Sequence, residues 1–360
     1  MSVITSAKNF LARAFPVPKF LLLSNISVSI SDGELSFFEF ESSGGKLLPK
    51  AHGKKSIPLI RLGTINEKQK SETISALKSF VNEQKISLVH VLIHEGDTYV
   101  FRLTVPTVNR EELKFAIESV LEENVPIPPA EASFEYDIVS VDNVRGETSV
   151  AVSVISEKII NDYNNLFSQG GLVPIAFETE ARALARAIFS PEEKGVSLVL
   201  AIKPSHSIIC ITENGRVVFS SSIDLGSLDI NKAIAKTFDV TPEVAIDMKK
   251  QHVSGDGADT SVFDASLPVF SSFHDEIGKV LVFWKTQEKK IKDFQNISRI
   301  ILVGSDSIVS SFARYVSISF KLPAVVGSVW TNVLSVEETI PDLSLKDSLD
   351  YGSSIGALLP

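Results

Sequence analysis

The chain is predicted to be a duplicated α/β fold, two related halves with a cleft between them. Three observations predict it. Ser197–Gly226 contains an apolar run, a polar break at Lys203–Ser207, a second apolar run, a Glu213-Asn-Gly215 turn and a third strand, which together read as three strands joined by tight turns. Leu21–Glu41 repeats the motif of strand, polar turn with glycine, strand, about half a chain earlier. Between and after these hairpins, helical and strand periodicities alternate. Taken singly, the second segment is a plain antiparallel meander. Its recurrence suggests duplication, and the backbone N–H groups of such a turn can converge on a phosphate.

Composition narrows the function classes. The 360 residues suffice for two to four compact units, and 44% hydrophobic residues support a core without disulfides or metal. The one cysteine, Cys210, lies in an apolar strand and fits a reducing compartment as a structural thiol. A net charge of −9 argues against a nucleic-acid groove and against adsorption to anionic lipid. No apolar run approaches the roughly 20 residues needed to cross a bilayer, and no secretory signal is evident, so a cytoplasmic location is expected.

In chain order, Val3, Ile4, Ala7, Phe10, Leu11 and Ala14 mark a short amphipathic helix before Pro16-Val-Pro18. The first hairpin and the Ser-Ser-Gly-Gly turn at 42–45 lead into a basic stretch, Lys46–Lys55, read as a solvated loop. A helix follows at Glu67–Gln84, then a strand at Leu88–Ile93; His90 and His94, four apart along a strand, do not suit a metal. After the strand Thr98–Val105, Asn109 and Glu112 form a capping-box pattern ahead of Leu113, Ile117, Val120 and Leu121. Prolines 126, 128 and 129 force an extended crossing to strands at Ser133–Val139 and Ser149–Val154, and the helix Glu157–Gln169 ends at Gly170-Gly171. Leu172–Ala176 is a strand, and Thr179–Phe189 a helix whose alanines permit close approach of another helix.

Beyond the second hairpin, helices are predicted at Asp229–Phe238 and Pro242–Gln251, then an acidic loop, Ser254–Ser261, without EF-hand spacing. A long helix runs over Val269–Gln287 with Phe270, Phe273, Ile277, Leu281 and Trp284 on one face. Arg299–Val303 is a buried strand, Ser307–Phe320 a helix and Ala324–Val326 a short strand. Ser348–Leu358, with Gly352 and Gly356, is expected to pack tightly into the second half.

Several collinear stretches resemble the type IV pilus assembly protein PilM family of the actin-like ATPase superfamily, related to the division protein FtsA. They are FPVPKF at Phe15–Phe20, YVFRLTVP at Tyr99–Pro106, ELKFAIESVLEENVPIP at Glu112–Pro128 and FETEARALARAI at Phe177–Ile188. NGRVVFSSSIDLG at Asn214–Gly226, VTPEVAIDMK at Val240–Lys249, RIILVG at Arg299–Gly304, WTNV at Trp330–Val333 and SLDYGSSIGAL at Ser348–Leu358 continue the series.

The resemblance implies an α/β, actin-like (ribonuclease H-like) duplicated fold with two halves around a cleft and an inserted small α+β subdomain. Residues 1–86 and 172–194 would form the first actin-like subdomain and 87–171 the insertion. Residues 195–226 and 299–360 would form the second, with a helical-rich subdomain at 227–298. It also implies a nucleotide between the halves, held through Mg²⁺ by an Asp from each hairpin. Here those positions fall on Ser29 and Ala201; Lys203 replaces a glycine, and Pro204 removes an N–H donor. The nucleoside-side Glu and Lys fall on Ile246 and Lys249, and the Gly-Gly turn survives as Gly304-Ser305.

The residues of this weakened nucleotide site are therefore Ser29, Asp32, Gly33, Lys203, Ser205, Ser207, Gly226, Lys249, Gly304 and Ser305. Little or no ATP hydrolysis is expected, because phosphoryl transfer depends on metal positioning. A second reading keeps ATP or ADP bound without efficient turnover, with Lys203 as phosphate partner and Ser205 and Ser207 as donors. The implied function is a cytosolic scaffold of the pilus inner-membrane assembly platform. It would be peripheral to the membrane through its partners and hold the cytoplasmic tail of a PilN-like protein between the first subdomain and the insertion. The pilus platform and motor proteins would be further partners. The alternatives are an active actin-like ATPase and an FtsA-like filament former; the end of this chain at Leu358-Leu-Pro360, without a membrane-targeting helix, favours the pilus reading.

Overall fold

The computed structural model describes residues 25–31, 33–43, 46–58, 65–254, 261–289, 291, 294–304, 310–333 and 343–359. The helix expected at 3–14, most of the acidic 254–261 loop, Asp32 and Ser305 lie outside these residues.

The duplication is visible in strand order. The first sheet contains β1 (Ile26–Ser31), β2 (Glu34–Ser43), β3 (Lys46–Ser56), β4 (Leu88–Ile93) and β8 (Val173–Thr179), arranged β3-β2-β1-β4-β8. The second contains β9 (Val196–Ile202), β10 (Ser207–Glu213), β11 (Arg216–Ile223), β12 (Ile297–Val303) and β13 (Ala324–Val326), arranged β11-β10-β9-β12-β13. In each, an antiparallel three-strand meander is extended by two parallel strands. The central strands β9 and β10 are buried at every position, as continuous apolar runs covered on both faces should be.

β3 corrects the reading of Lys46–Lys55 as a loop. Exposed Lys50, His52 and Lys54 alternate with half-buried Ala51, Gly53 and Lys55, and lysines commonly guard an edge strand. Lys50 pairs with Glu39 and Lys54 with Glu34 on the neighbouring strand, contacts that local sequence does not reveal.

The insertion is also narrower than expected. Its sheet, order β5-β7-β6, comprises β5 (Thr98–Pro106), β6 (Ala132–Asp142) and β7 (Glu147–Ser156). Helices α2 (Arg110–Glu118) and α3 (Leu121–Asn124) close one face over Val150, Val152 and Val154. β4, placed inside the insertion by the sequence bounds 87–171, is instead parallel to β1 and β8. Helix α4 (Glu157–Gln169) joins α1 (Glu67–Gln84) over the first sheet, where Tyr163 and Phe167 share a core with Leu77 and Phe80. Contiguity along the chain suggested one unit; strand pairing divides it.

Helices α6 (Ser227–Phe238), α7 (Pro242–Ser254) and α8 (Ser261–Thr286) pack on the second sheet. Ile230, Ile234, Phe270 and Phe273 share one core with Leu198, Leu200 and Ile209, so the 227–298 segment is a layer of that half. α8 begins before the predicted Val269 and carries Pro268 within it. Helix α9 (Ser310–Phe320) adds Phe312 and Val316 to the same core.

Between the halves lie α5 (Glu180–Ile188) and the C-terminal helices α10 (Leu345–Ser348) and α11 (Gly352–Gly356). α11 packs on α5 and β1 of the first half, not solely into the second as the sequence suggested. A Cβ on Gly356 would lie 1.7 Å from the Ala183 carbonyl oxygen, so only glycine permits this crossing. The Ser27 hydroxyl donates to the Ser354 carbonyl at 2.8 Å and the Ser353 hydroxyl to the Glu180 carbonyl at 3.0 Å.

Candidate functional site

The cleft lies where the β1–β2 and β9–β10 turns face each other, bordered by Ser31, Ser36, Lys203, Gly304 and Ser353. Of the predicted site residues, Lys203 and Gly304 line it. Ser29 is buried in β1 opposite Ser36, Gly33 shapes the β1–β2 turn at φ 73°, and Lys249 is on α7, away from the cleft lining.

The second turn spends its polar groups on its own half. The Lys203 N–H donates to the His206 carbonyl at 3.0 Å. The Lys203 and Pro204 carbonyls accept from the N–H groups of Ser227 and Leu228, each at 2.9 Å, and so cap α6. The Ser207 hydroxyl donates to the Leu225 carbonyl at 2.7 Å, and a Cβ on Gly226 would meet the Pro204 carbonyl oxygen at 2.3 Å.

The Lys203 ammonium bonds Glu180 at the start of α5, directly after β8 of the first sheet. Glu180 has no exposed surface. Its Oε2 accepts the Glu95 N–H at 3.2 Å and lies 3.7 Å from His206 Nε2. Burial pushes this carboxyl up, but Lys203, then His206 and His94, outweigh it and hold it well below the ordinary carboxylate range.

Neighbouring Glu95 is also buried and is raised by desolvation, which its hydrogen bonds from Ala181 and Thr98 only partly offset; its Oε2 accepts the Ala181 N–H at 2.8 Å and its Oε1 the Thr98 hydroxyl at 3.2 Å. The two carboxyls are thus driven apart, one ionised and one inclined to hold its proton. The His94 ring packs against that of His206 with centroids 4.5 Å apart, and burial lowers its affinity for a proton. Its Nδ1 accepts the Gly96 N–H at 3.0 Å, which fixes the neutral ring with its proton on Nε2.

None of this cluster was singled out from sequence as a cleft group except Lys203. A glutamate in the first turn of a helix has a sufficient local reason in the helix dipole, and His94 reads as a strand-end residue. Only the register that brings β4, α5 and the β9–β10 turn together reveals the grouping.

Tested against a Mg²⁺-bound nucleotide, the cleft does not fit. Among the described residues, Ser29 and Ala201 supply no carboxylate and Pro204 no N–H, the Lys203 charge is already paired, and the two carboxylates that do line the cleft, Glu34 and Asp350, lie 3.6 and 3.5 Å from the Lys54 ammonium. The cavity there is about 40 Å³, room for about three waters, against about 300 Å³ or more for a ligand pocket.

A second concavity, about 290 Å³, lies between β6 of the insertion and β8 of the first sheet. Phe134, Ile155, Ile160 and Phe177 make its apolar floor, and Glu135, Glu178 and Arg182 its polar rim. β6 and β8 are the terminal strands of their sheets. Arg182 bridges the two strands, bonding Glu135 at 2.6 Å and Asp137 at 3.1 Å on β6 and lying 3.4 Å from Glu178 on β8.

Twin sheets of this topology around a two-helix crossing define an actin-like ATPase fold. Solved structures share it. The PilM-PilN type IV pilus biogenesis complex matches at 17% identity over 93% of this chain and 97% of that one, with TM-score 0.71. The ethanolamine utilization protein EutJ from Carboxydothermus hydrogenoformans matches at 12% identity over 99% and 96%, TM-score 0.52. MreB5 of Spiroplasma citri bound to AMPPNP matches at 14% identity over 92% and 93%, TM-score 0.50. No curated protein matches the chain. The family model of the type IV pilus assembly protein PilM matches residues 28–356, and the chain belongs to that family. No helix among the described residues is long and apolar enough to cross a membrane.

Proposed function

We propose that the chain is an adaptor of the type IV pilus inner-membrane assembly platform. It binds the cytoplasmic tail of a PilN-like membrane protein in the β6–β8 groove and works without efficient ATP hydrolysis. The observation that carries this reading is the groove itself: two edge strands facing each other over an apolar floor, the geometry that takes up an extended peptide by backbone pairing and side-chain pockets. Family membership and the fold shared with a PilM-PilN complex supply the kind of partner. Through that partner the chain would sit at the inner face of the membrane and link the platform to its motor.

Calorimetric titration with PilN-type N-terminal peptides tests it. Micromolar binding is expected, lost in Ser133→Arg, which fills the groove mouth from an exposed position, and kept in Phe115→Ser on the exposed face of α2. Equal binding by both variants would place the tail elsewhere. Phosphate release from Mg-ATP above the buffer rate would restore the ATPase alternative.

A further inference from the structure

The cleft supplies its own cation. Glu180 is a carboxylate with no exposed surface, and a buried carboxylate stays ionised only beside a positive charge. Lys203 provides that charge from the opposite half. The ammonium is not on a loose tether, because the turn bearing it is fixed by the Lys203–His206 backbone bond and by its two carbonyl bonds to the start of α6. At the other end, Glu180 is fixed three ways: it begins α5, its carbonyl holds Ser353 of α11, and its carboxylate accepts from Glu95 at the root of the insertion. One charge pair therefore joins the second half, the first half, the C-terminal segment and the insertion.

We propose that the Lys203–Glu180 pair is a resident ionic clasp that takes the place of a metal-nucleotide complex, so that the two halves are closed in the unliganded chain and gain nothing from nucleotide or divalent ion. This rests on the functional reading above only in taking the cleft as catalytically silent. Peptide binding in the β6–β8 groove is a separate readout, so either idea can fail alone.

The test is thermal unfolding of the full chain. The wild-type midpoint is expected not to move with millimolar Mg²⁺, ADP, ATP or Mg-ATP. Lys203→Ala is expected to lower it by about 4–7 °C, the effect of stripping one partner from a buried pair in a chain of this length. Ethylammonium, a mimic of the deleted side-chain end, should restore much of the loss in the variant and leave the wild type unchanged. Should Lys203→Ala not fold, the double variant Lys203→Met with Glu180→Gln, which removes both charges, should fold and unfold close to wild type. The clasp is refuted by a wild-type midpoint raised several degrees by Mg-ATP, by a Lys203→Ala midpoint equal to wild type, by ethylammonium acting equally on both, or by a double variant no better than the single.

Discussion

The helix crossing at Gly356 makes the sharpest stability prediction. A methyl group there would sit 1.7 Å from the Ala183 carbonyl oxygen and 2.5 Å from its carbon, both backbone atoms of a buried helix. To reach even 3.0 Å, α11 must retreat by roughly 1.3 Å or more, since neither partner can rotate away. Overpacking of this kind costs about 1–3 kcal/mol. The retreat also strains the buried Ser27–Ser354 and Ser353–Glu180 hydrogen bonds, each worth about 1 kcal/mol. Gly356→Ala should therefore destabilise by about 4 kcal/mol, which lowers the melting point of a 360-residue chain by about 5 °C. Gly278→Ala is the control. Its added methyl would have its nearest contact, Phe320, at 4.0 Å in the middle of α8, and the helix should gain about 0.5–1 kcal/mol. Calorimetry of both variants decides: a Gly356→Ala protein that melts within a degree of wild type would show that the crossing is not tight, and the reasoning would fail.

His90 and His94 should each destabilise the fold on acidification above the carboxylate range, while Glu95, raised in the fold, acts in the opposite sense there. Burial lowers the pKa of both His90 and His94 from 6.5, so below that pH the unfolded chain binds protons that the folded chain refuses. Each histidine then removes up to about 1.4 kcal/mol per pH unit until its folded pKa is reached. Glu180, depressed in the fold, adds its own loss only as pH falls below its unfolded value near 4.5. Urea midpoints between pH 7.5 and 5 measure the slope; His94→Gln should flatten it, and an unchanged slope would remove His94 from the account. Arg102 and Glu213 clasp the insertion to the second half, with Nε–Oε2 at 3.0 Å and both side chains largely buried. Arg102→Ala should cost about 3–5 kcal/mol by stranding Glu213, and a double variant with Glu213→Gln should recover much of it in denaturant titrations. A single-variant loss under 1 kcal/mol would show that the pair is solvated.

The duplication was legible because both hairpins pair neighbouring stretches of chain, which leaves a local signature of apolar runs and turn residues. The capped helix at Asn109 was legible for the same reason: cap and helix are adjacent. β3 was not, since its lysines look like a loop until Glu34 and Glu39 face them across the sheet. The departure of positions 29 and 201 from carboxylate could be read directly, whereas the occupation of Lys203 by Glu180, twenty-three residues earlier, could not.

By itself the sequence determined the α/β alternation, the paired hairpins and the absence of a carboxylate at positions 29 and 201, all properties of single positions or short stretches. Tertiary structure alone decided that β4 and α4 belong to the first sheet and that α11 leans on α5. It also decided that a buried glutamate and a lysine from opposite halves meet. Those outcomes depend on strand register and helix crossing, where the energy resides in contacts between residues far apart along the chain, and no local pattern records which of the possible partners is chosen.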